Sequence, residues 1–130
     1  MIDKYIGCLL ITTSVVAISG CSPSCANEVL GDVNSPTGNF RAVIFQRNCG
    51  ATTGPNRQVS IIPSGTSLPD TAGNVLIIGD SAGEALRALN VSTTWSDDST
   101  LLVTYGSGAR VFRKQTRLGH VSIRFGGSNR

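Results

Sequence analysis

The sequence predicts a small all-β domain, an antiparallel sandwich or open barrel of about seven short strands. Segments rich in Val, Ile, Thr and Phe alternate with turns that draw on 15 Gly and 5 Pro, which is typical of strands joined by tight connections. These connections are too short for many parallel crossovers. Apolar residues make up 40% and charged residues 15% of the chain, a balance that indicates a globular protein rather than a disordered one.

The individual strands follow from alternation and from the turn residues between them. Val121, Ile123 and Phe125 share one face of the clearest strand, and Ser122 and Arg124 share the other. The predicted strands are residues 40–47, 58–62, 74–78, 88–95, 100–105, 109–113 and 120–125. Residues 82–89 read AGEALRAL and are the one predicted helix, of about two turns.

The first 20 residues have the three-part layout of an export signal. Lys4 lies in a short leading region, an apolar stretch of 13 residues covers 6–18, and small residues close it. This stretch is shorter than the roughly 20 apolar residues that a transmembrane helix needs. The alternative is a buried N-terminal helix, which the early Gly7 and the Thr-Thr-Ser run at residues 12–14 disfavour.

Residues 18–21, Ile-Ser-Gly-Cys, resemble the lipobox of bacterial lipoproteins. The resemblance implies cleavage before Cys21 and lipidation of its sulfur, because a thiolate is the nucleophile suited to take a diacylglyceryl group. Palmitate-type chains would then hold the protein on a membrane. Ser22 is not Asp, which implies the outer membrane facing the periplasm if the cell is Gram-negative. The predicted organisation is a signal peptide, a lipidated tether and one all-β domain, at residues 1–20, 21–36 and 37–130.

Cys25 and Cys49 are predicted to form a disulfide. Cys8 leaves with the signal and Cys21 carries lipid, so two of the four cysteines remain in an oxidising compartment. A metal pair is the alternative, but the chain has one histidine, His120, which is remote in the sequence. We therefore expect neither a metal nor another cofactor.

Two turn-then-strand segments resemble TolB-type β-propeller repeats, whose turn reads Ser-Pro-Asp-Gly. Residues 35–38 read SPTG before the strand FRAVIF, and residues 96–99 read SDDS before TLLVTY. The resemblance implies blade-like meanders, although the chain is too short for a propeller and a generic hairpin turn gives the same pattern. The first turn, together with Cys-Gly-Ala-Thr-Thr at residues 49–53, also resembles a family of small uncharacterised bacterial lipoproteins, which implies a relative without implying an activity.

Residues 79–83 read GDSAG and match the nucleophile elbow of serine hydrolases, with Ser81 as the nucleophile. The string is similar to one in esterases of the hormone-sensitive-lipase type, and Asp97 or Asp98 followed by His120 completes the order Ser, Asp, His. That class needs a large parallel sheet, for which the chain is too short, and no His-Gly-Gly-Gly loop precedes the serine. We therefore predict a strand that ends in a turn here, and no enzyme activity.

Positive charge is concentrated in the last third of the chain. Six cations and no acidic residue follow Asp98, and four of the cations cluster around one predicted hairpin: Arg110, Arg113, Lys114 and Arg117. They form either a solvated edge that resists aggregation or a docking patch for lipopolysaccharide phosphates, anionic lipid headgroups or an acidic protein partner. Nucleic acid is not expected, because aromatics that could stack on bases are few.

The function predicted from these features is that of a membrane-anchored envelope lipoprotein with a binding or structural role. One alternative is an inhibitor of an envelope-targeting enzyme, since the size and anchoring are similar to those of the lipoprotein inhibitors of c-type lysozyme. The Ser-Gly-x-x-Tyr loop of those inhibitors is missing, and the nearest string is YGSG at residues 105–108. The other alternative is a small serine hydrolase that uses Ser81.

Overall fold

The computed structural model describes residues 25–50, 53–79 and 89–128. Within these residues the chain forms nine strands and no α-helix. The strands are arranged in two sheets that do not close into a barrel. The predicted all-β fold class is therefore confirmed.

The first sheet has five strands in the order β1-β2-β3-β4-β7, and the second has four in the order β5-β6-β9-β8. The strands are β1 Ala26–Asn34, β2 Phe40–Asn48, β3 Asn56–Pro63, β4 Leu76–Gly79, β5 Val91–Asp97, β6 Thr100–Gly106, β7 Arg110–Lys114, β8 Arg117–Leu118 and β9 Val121–Ser128. All seven predicted strands are present, with ends displaced by a few residues. Strands β1 to β4 follow one another as an antiparallel meander.

Two strands, β1 and β8, were not predicted. Strand β1 lies inside the range 21–36 that the sequence assigned to a tether, so the ordered sheet begins at Ala26. Its side chains are mostly exposed, including Val29 and Leu30, and a strand exposed on both faces lacks the alternation that identifies strands in a sequence. Strand β8 has two residues, too few for any pattern.

One strand pair departs from the antiparallel arrangement, because β6 and β9 run parallel. Between them the chain crosses to the first sheet to form β7 and returns to the second to form β8. The crossover is therefore made through the other layer of the sandwich, which is how a short chain can place parallel strands side by side.

The main core lies between the two sheets and contains aliphatic side chains from both. The first sheet contributes Ala42, Val59, Ile61, Leu76 and Ile78, and the second contributes Leu101, Val103, Val121 and Ile123. Each aliphatic side chain of Val, Leu or Ile that is fully buried stabilises the fold by about 1.5–3 kcal/mol. Leu89, just before β5, is also buried here. The other residues of the predicted helix, 82–88, lie outside the described part of the chain.

The first sheet is also covered on its outer face, the one turned away from the second sheet. Val43, Phe45 and Ile62 form a second buried cluster there, against Leu68 of the β3–β4 connection. Because the β2–β3 pair is apolar on both faces, this connection has to fold back over the sheet instead of projecting into solvent.

Polar side chains hold the β3–β4 connection in place. The buried Gln58 accepts a hydrogen bond from Gly73 N at 2.7 Å through its Oε1. The buried Ser60 accepts one from Asn74 N at 3.1 Å. The Asn74 amide in turn bonds both the N–H and the carbonyl of Ile61, each at 2.9 Å. Apart from one backbone bond next to β4, from Val75 N to Val59 O at 3.0 Å, the connection is therefore held to β3 through side chains.

The predicted disulfide between Cys25 and Cys49 is present. It joins the residue before β1 to the residue after β2, at the end of the sheet where Ala26 pairs with Asn48. Closing a loop with a sequence separation of 24 residues stabilises the fold by about 3 kcal/mol in the chain-entropy description. The bridge therefore secures β1, an edge strand that buries little apolar surface of its own.

The two turns that resemble each other in sequence meet in the fold. Thr37 N in the first turn donates a hydrogen bond to Asp98 Oδ1 in the second, at 2.8 Å, and Ser99 N donates to Asp97 Oδ1 at 2.8 Å. The backbone hydrogen bond from Thr37 lowers the pKa of Asp98, and the one from Ser99 lowers the pKa of Asp97. Both aspartates therefore stabilise turns in their charged form.

We expect Gly73→Ala to lower the free energy of unfolding by about 1–3 kcal/mol, the usual cost of overpacking. A Cβ at Gly73 would lie 2.9 Å from the carbonyl oxygens of both Leu76 and Val59, and backbone atoms cannot rotate away as a side chain can. Urea unfolding measures the change. Gly31→Ala is the matched control because a Cβ there meets nothing within 4 Å, and equal effects of the two substitutions would contradict the close packing at Gly73.

Acid should destabilise the protein in part through Asp98. Since its pKa is lower in the folded state than the ordinary 3.8, its contribution is present above about pH 4 and is lost as the pH falls through the folded pKa. We expect Asp98→Asn to have a lower Tm than the wild type at pH 7, and the difference to shrink as the pH is lowered below about 4. Glu28→Gln, at an exposed position of β1, is the control. A constant Tm difference across this pH range would contradict the assignment.

Candidate functional site

Two of the residues singled out in the sequence, Cys21 and Ser81, lie outside the described residues. His120 is exposed in the turn between β8 and β9. Asp97 and Asp98 are at the β5–β6 turn, and each binds a backbone N–H with its carboxylate. The two aspartates therefore have a local structural role that accounts for their presence.

The four predicted cations do not lie on one hairpin, so that part of the prediction is wrong. Arg110, Arg113 and Lys114 belong to β7 in the first sheet, whereas Arg117 belongs to β8 in the second. The chain leaves the first sheet at Gln115, whose N–H donates to Val75 O at 2.9 Å. The residue after it, Thr116, already accepts a hydrogen bond from the second sheet through its carbonyl. Each segment finds its partner in a different layer of the sandwich.

Strand β7 is the edge of the first sheet and all five of its side chains are exposed. We call this strand the β7 strip: Arg110, Val111, Phe112, Arg113 and Lys114. Charged side chains are a usual protection for an edge strand. Phe112 does not provide such protection, because it is an apolar residue that is 61% exposed and lies among three cations.

A bulge and a glycine determine how Phe112 is presented. The pairing of β4 with β7 shifts between Ile77 and Ile78, so Phe112 is the extra residue of β7 and has no partner on β4. Its ring lies against Gly79, where a Cβ would be only 2.7 Å from Phe112 Cε2. The glycine thus leaves room for the ring to lie against the sheet, while Phe112 stays 61% exposed.

The cations of the β7 strip contact neutral groups of the protein. Arg113 donates from Nη1 to Gly73 O at 2.9 Å, and the Arg110 guanidinium lies 5.2 Å from the centroid of the Phe112 ring. Lys114 Nζ lies 4.7 Å from the Phe125 ring centroid and 5.7 Å from that of Tyr105. These contacts orient the side chains but leave their charge uncompensated.

No ion pair involves the β7 strip within the described part of the chain. The two ion pairs found there are Arg41 with Asp32 and Arg47 with Asp70, each at 2.9 Å. Like charges lie together on this edge, and none of the described carboxylates pairs with them, so these side chains give the edge a positive field that attracts anions.

The β7 strip begins at the same end of the first sheet as the disulfide. In the strand register, Ala26 of β1 is paired with Asn48 of β2. Gly79 of β4 is paired with Asn56 of β3 on one side and with Arg110 of β7 on the other. Four steps of about 4.8 Å separate β1 from β7, so Arg110 lies roughly 19 Å across the sheet from the disulfide. Lys114 is at the opposite end of β7, which is about 13 Å long.

Sequence reasoning found the cations of the strip but missed Phe112. Its position in the string RVFRK, between cations on both sides, is the signal that could have identified an exposed aromatic. The contact of Lys114 with Tyr105 and Phe125 gave no such signal, because it joins two sheets that are adjacent only in the folded chain.

Among the described residues, no three His, Cys, Asp or Glu side chains gather where they could hold a metal ion. Over the same residues, no helix is long and apolar enough to cross a membrane. Comparisons with protein-family models, with curated proteins and with solved structures found no match.

Proposed function

We propose that the protein is a lipid-anchored component of the bacterial envelope whose β domain docks on an anionic membrane surface through the β7 strip. It acts by binding, and no catalytic step is required of it. Cys21 is the point of lipid attachment in this proposal. The partner is the layer of phosphate-bearing headgroups of the membrane that holds the lipid, on the periplasmic side of the outer membrane in a Gram-negative cell.

The observation that supports this proposal is the combination of exposed Phe112 with cations that pair with none of the carboxylates in the described part of the chain. Arginine and lysine heads bind headgroup phosphates, while an aromatic ring enters the boundary between headgroups and acyl chains. A solvated edge that serves only against aggregation would need the charges but not the exposed ring. Phe112 therefore favours a membrane surface over a purely protective role.

The strength of these contacts suggests that the strip orients the domain and the lipid anchors it. Each Lys or Arg near an anionic leaflet contributes about 1 kcal/mol, so three cations alone give only weak binding. Two or more acyl chains hold a protein on the membrane stably. Once the chain is tethered, the surface is present at a high effective concentration, and even a weak contact then selects one orientation.

The position of the disulfide is consistent with this geometry. Cys25 follows Cys21 by four positions, and a fully extended chain covers at most about 14 Å over that distance. An anchor on Cys21 would therefore keep the disulfide end of the first sheet near the membrane. Arg110 and Phe112 share that end, so they are expected to contribute more than Lys114 does.

Replacing Cys21 by Ser should abolish lipid attachment. Only a sulfur can carry the thioether-linked diacylglyceryl group, so Cys21→Ser should remain unlabelled when cells are grown with radioactive palmitate. Cys8→Ser is the matched control, because it removes a cysteine upstream of the proposed cleavage point. Equal labelling of Cys21→Ser and the wild type would rule out anchoring at this residue.

The strip is tested with the chain from residue 22 onwards, which has no lipid, in cosedimentation with phosphatidylglycerol vesicles at low salt. We expect Arg110→Gln/Phe112→Ser to weaken binding about tenfold, from the loss of one charge and of one partly buried ring. High salt should weaken the binding of the wild type, because exposed charges are screened.

The matched control for this pair is Arg124→Gln/Leu102→Ser. These two residues pair across β9 and β6 in the second sheet, and they too combine an exposed cation with an exposed apolar side chain. Equal loss in both pairs would mean that only net charge matters, and would contradict docking through β7. Wild-type binding that survives high salt, or equal binding to neutral phosphatidylcholine vesicles, would contradict it as well.

A further inference from the structure

A second site is suggested by a cleft at the disulfide end of the first sheet, where β2 ends and β3 begins. Its volume is about 430 Å³, within the range of small-molecule sites in proteins. Eight of the described residues line it, and none of these eight is acidic. The membrane contact proposed for β7 does not use these residues, so the cleft is independent of that proposal.

The polar side chains of the cleft have their acceptor oxygens engaged by the protein. Gln46 Oε1 accepts from Arg57 Nη1 at 2.7 Å, and Asn48 Oδ1 accepts from Gly50 N at 3.0 Å. Thr53 Oγ1 accepts from Cys49 N at 2.9 Å. Since both guanidinium and backbone N–H groups can only donate, these bonds determine which end of each amide is the acceptor. The side-chain groups of the cleft that make no hydrogen bond within the described residues are donors: two amide N–H₂ groups and one hydroxyl hydrogen.

Arg57 adds a positively charged fork to this set of donors. Its Nη1 bonds Gln46 Oε1 and the carbonyl of Asn56, at 2.7 and 2.8 Å, which uses both hydrogens of that nitrogen. The Nε and Nη2 hydrogens have no acceptor among the described residues, and they lie parallel on one edge of the guanidinium. This edge matches two oxygens of a phosphate or carboxylate.

The second arginine of the cleft does not have this freedom. Arg47 Nη1 bonds Asp70 Oδ1 at 2.9 Å and Asn27 Oδ1 at 2.8 Å, and its side chain is only 16% exposed. No ion pair of Arg57 occurs among the described residues, where the two ion pairs involve Arg41 and Arg47. Arg57 is therefore the cation that a ligand in the cleft would neutralise.

We propose that this cleft binds a phosphorylated small molecule or headgroup, with the phosphate oxygens on the Nε–Nη2 edge of Arg57 and on the donors of Gln46, Asn48 and Thr53. A phosphate has only acceptor oxygens at its charged end, which complements these side-chain donors and the positive charge of Arg57. The cleft volume exceeds that of a phosphate ion and leaves room for the organic group attached to it.

The test uses the protein purified in detergent and titrated with inorganic phosphate at constant ionic strength. Binding is followed through the amide NMR signals of Gly50 and Thr53 and the Nε–H signal of Arg57. We expect saturable shifts in the wild type and a dissociation constant at least about tenfold weaker in Arg57→Gln, which loses a charge-assisted hydrogen bond. Absence of saturable shifts in the wild type would overturn the proposal.

Three further variants test the fork and the location of the site. Arg57→Lys keeps the charge but loses the paired donors, so we expect it to bind as weakly as Arg57→Gln; wild-type affinity in Arg57→Lys would overturn the fork. Asn48→Asp keeps the acceptor for Gly50 N but replaces the N–H₂ donor with a negative charge, and should abolish binding. Asn90→Asp makes the same change at an exposed position outside the cleft and should bind as the wild type does. Equal affinity in both Asp variants would overturn the site.

A second titration distinguishes a soluble phosphorylated molecule from a lipid headgroup as the ligand. It uses phosphatidylglycerol micelles and soluble glycerol 1-phosphate. Stronger, Arg57-dependent binding of glycerol 1-phosphate would identify a soluble ligand, and stronger Arg57-dependent binding of the lipid would identify a headgroup. Arg110→Gln/Phe112→Ser should leave glycerol 1-phosphate binding unchanged, because neither residue lines this cleft. Loss of glycerol 1-phosphate binding in that variant would overturn the assignment to the cleft.

Discussion

The structure depends on one constraint: the β2–β3 strand pair is apolar on both faces, and both faces have to be covered. The second sheet covers the inner face, and the β3–β4 connection covers the outer one through Leu68. That connection has no strand ladder, so buried side chains such as Gln58 and Ser60 satisfy its backbone groups. Arg113 of β7 bonds the same connection at Gly73 O. The β7 strip is therefore bonded to the segment that covers the outer face of the first sheet.

The ends of the first sheet are not equivalent, and this asymmetry concentrates the features of functional interest. The disulfide, the cleft beside Arg57 and the start of the β7 strip at Arg110 all lie at one end. At the other end of β7, Lys114 contacts aromatic rings of the second sheet. A short chain segment before Cys25 would bring the first end, and not the second, close to anything attached to Cys21.

The sequence alone was sufficient for the fold class, for seven of the nine strands and for the disulfide. Local alternation such as that of Val121, Ile123 and Phe125 identifies a half-buried strand without knowledge of its partners. The disulfide was predicted by assigning Cys8 to the signal and Cys21 to the lipid, which leaves two cysteines to pair. No knowledge of their geometry was needed. Strand β1 was not predicted because an edge strand exposed on both faces has no alternation. Its only local signal is the turn that separates it from β2.

Tertiary structure decided which residues meet. Arg110 and Arg117 are seven positions apart and looked like one hairpin, yet they belong to different sheets because each strand pairs with the layer where an edge was open. Phe112 is exposed because a bulge leaves it without a partner on β4. Arg57 faces a donor-rich cleft because the register of β2 and β3 sets it beside Gln46. These relations depend on register and layer, which are set by burial over the whole fold and not by any local stretch of sequence.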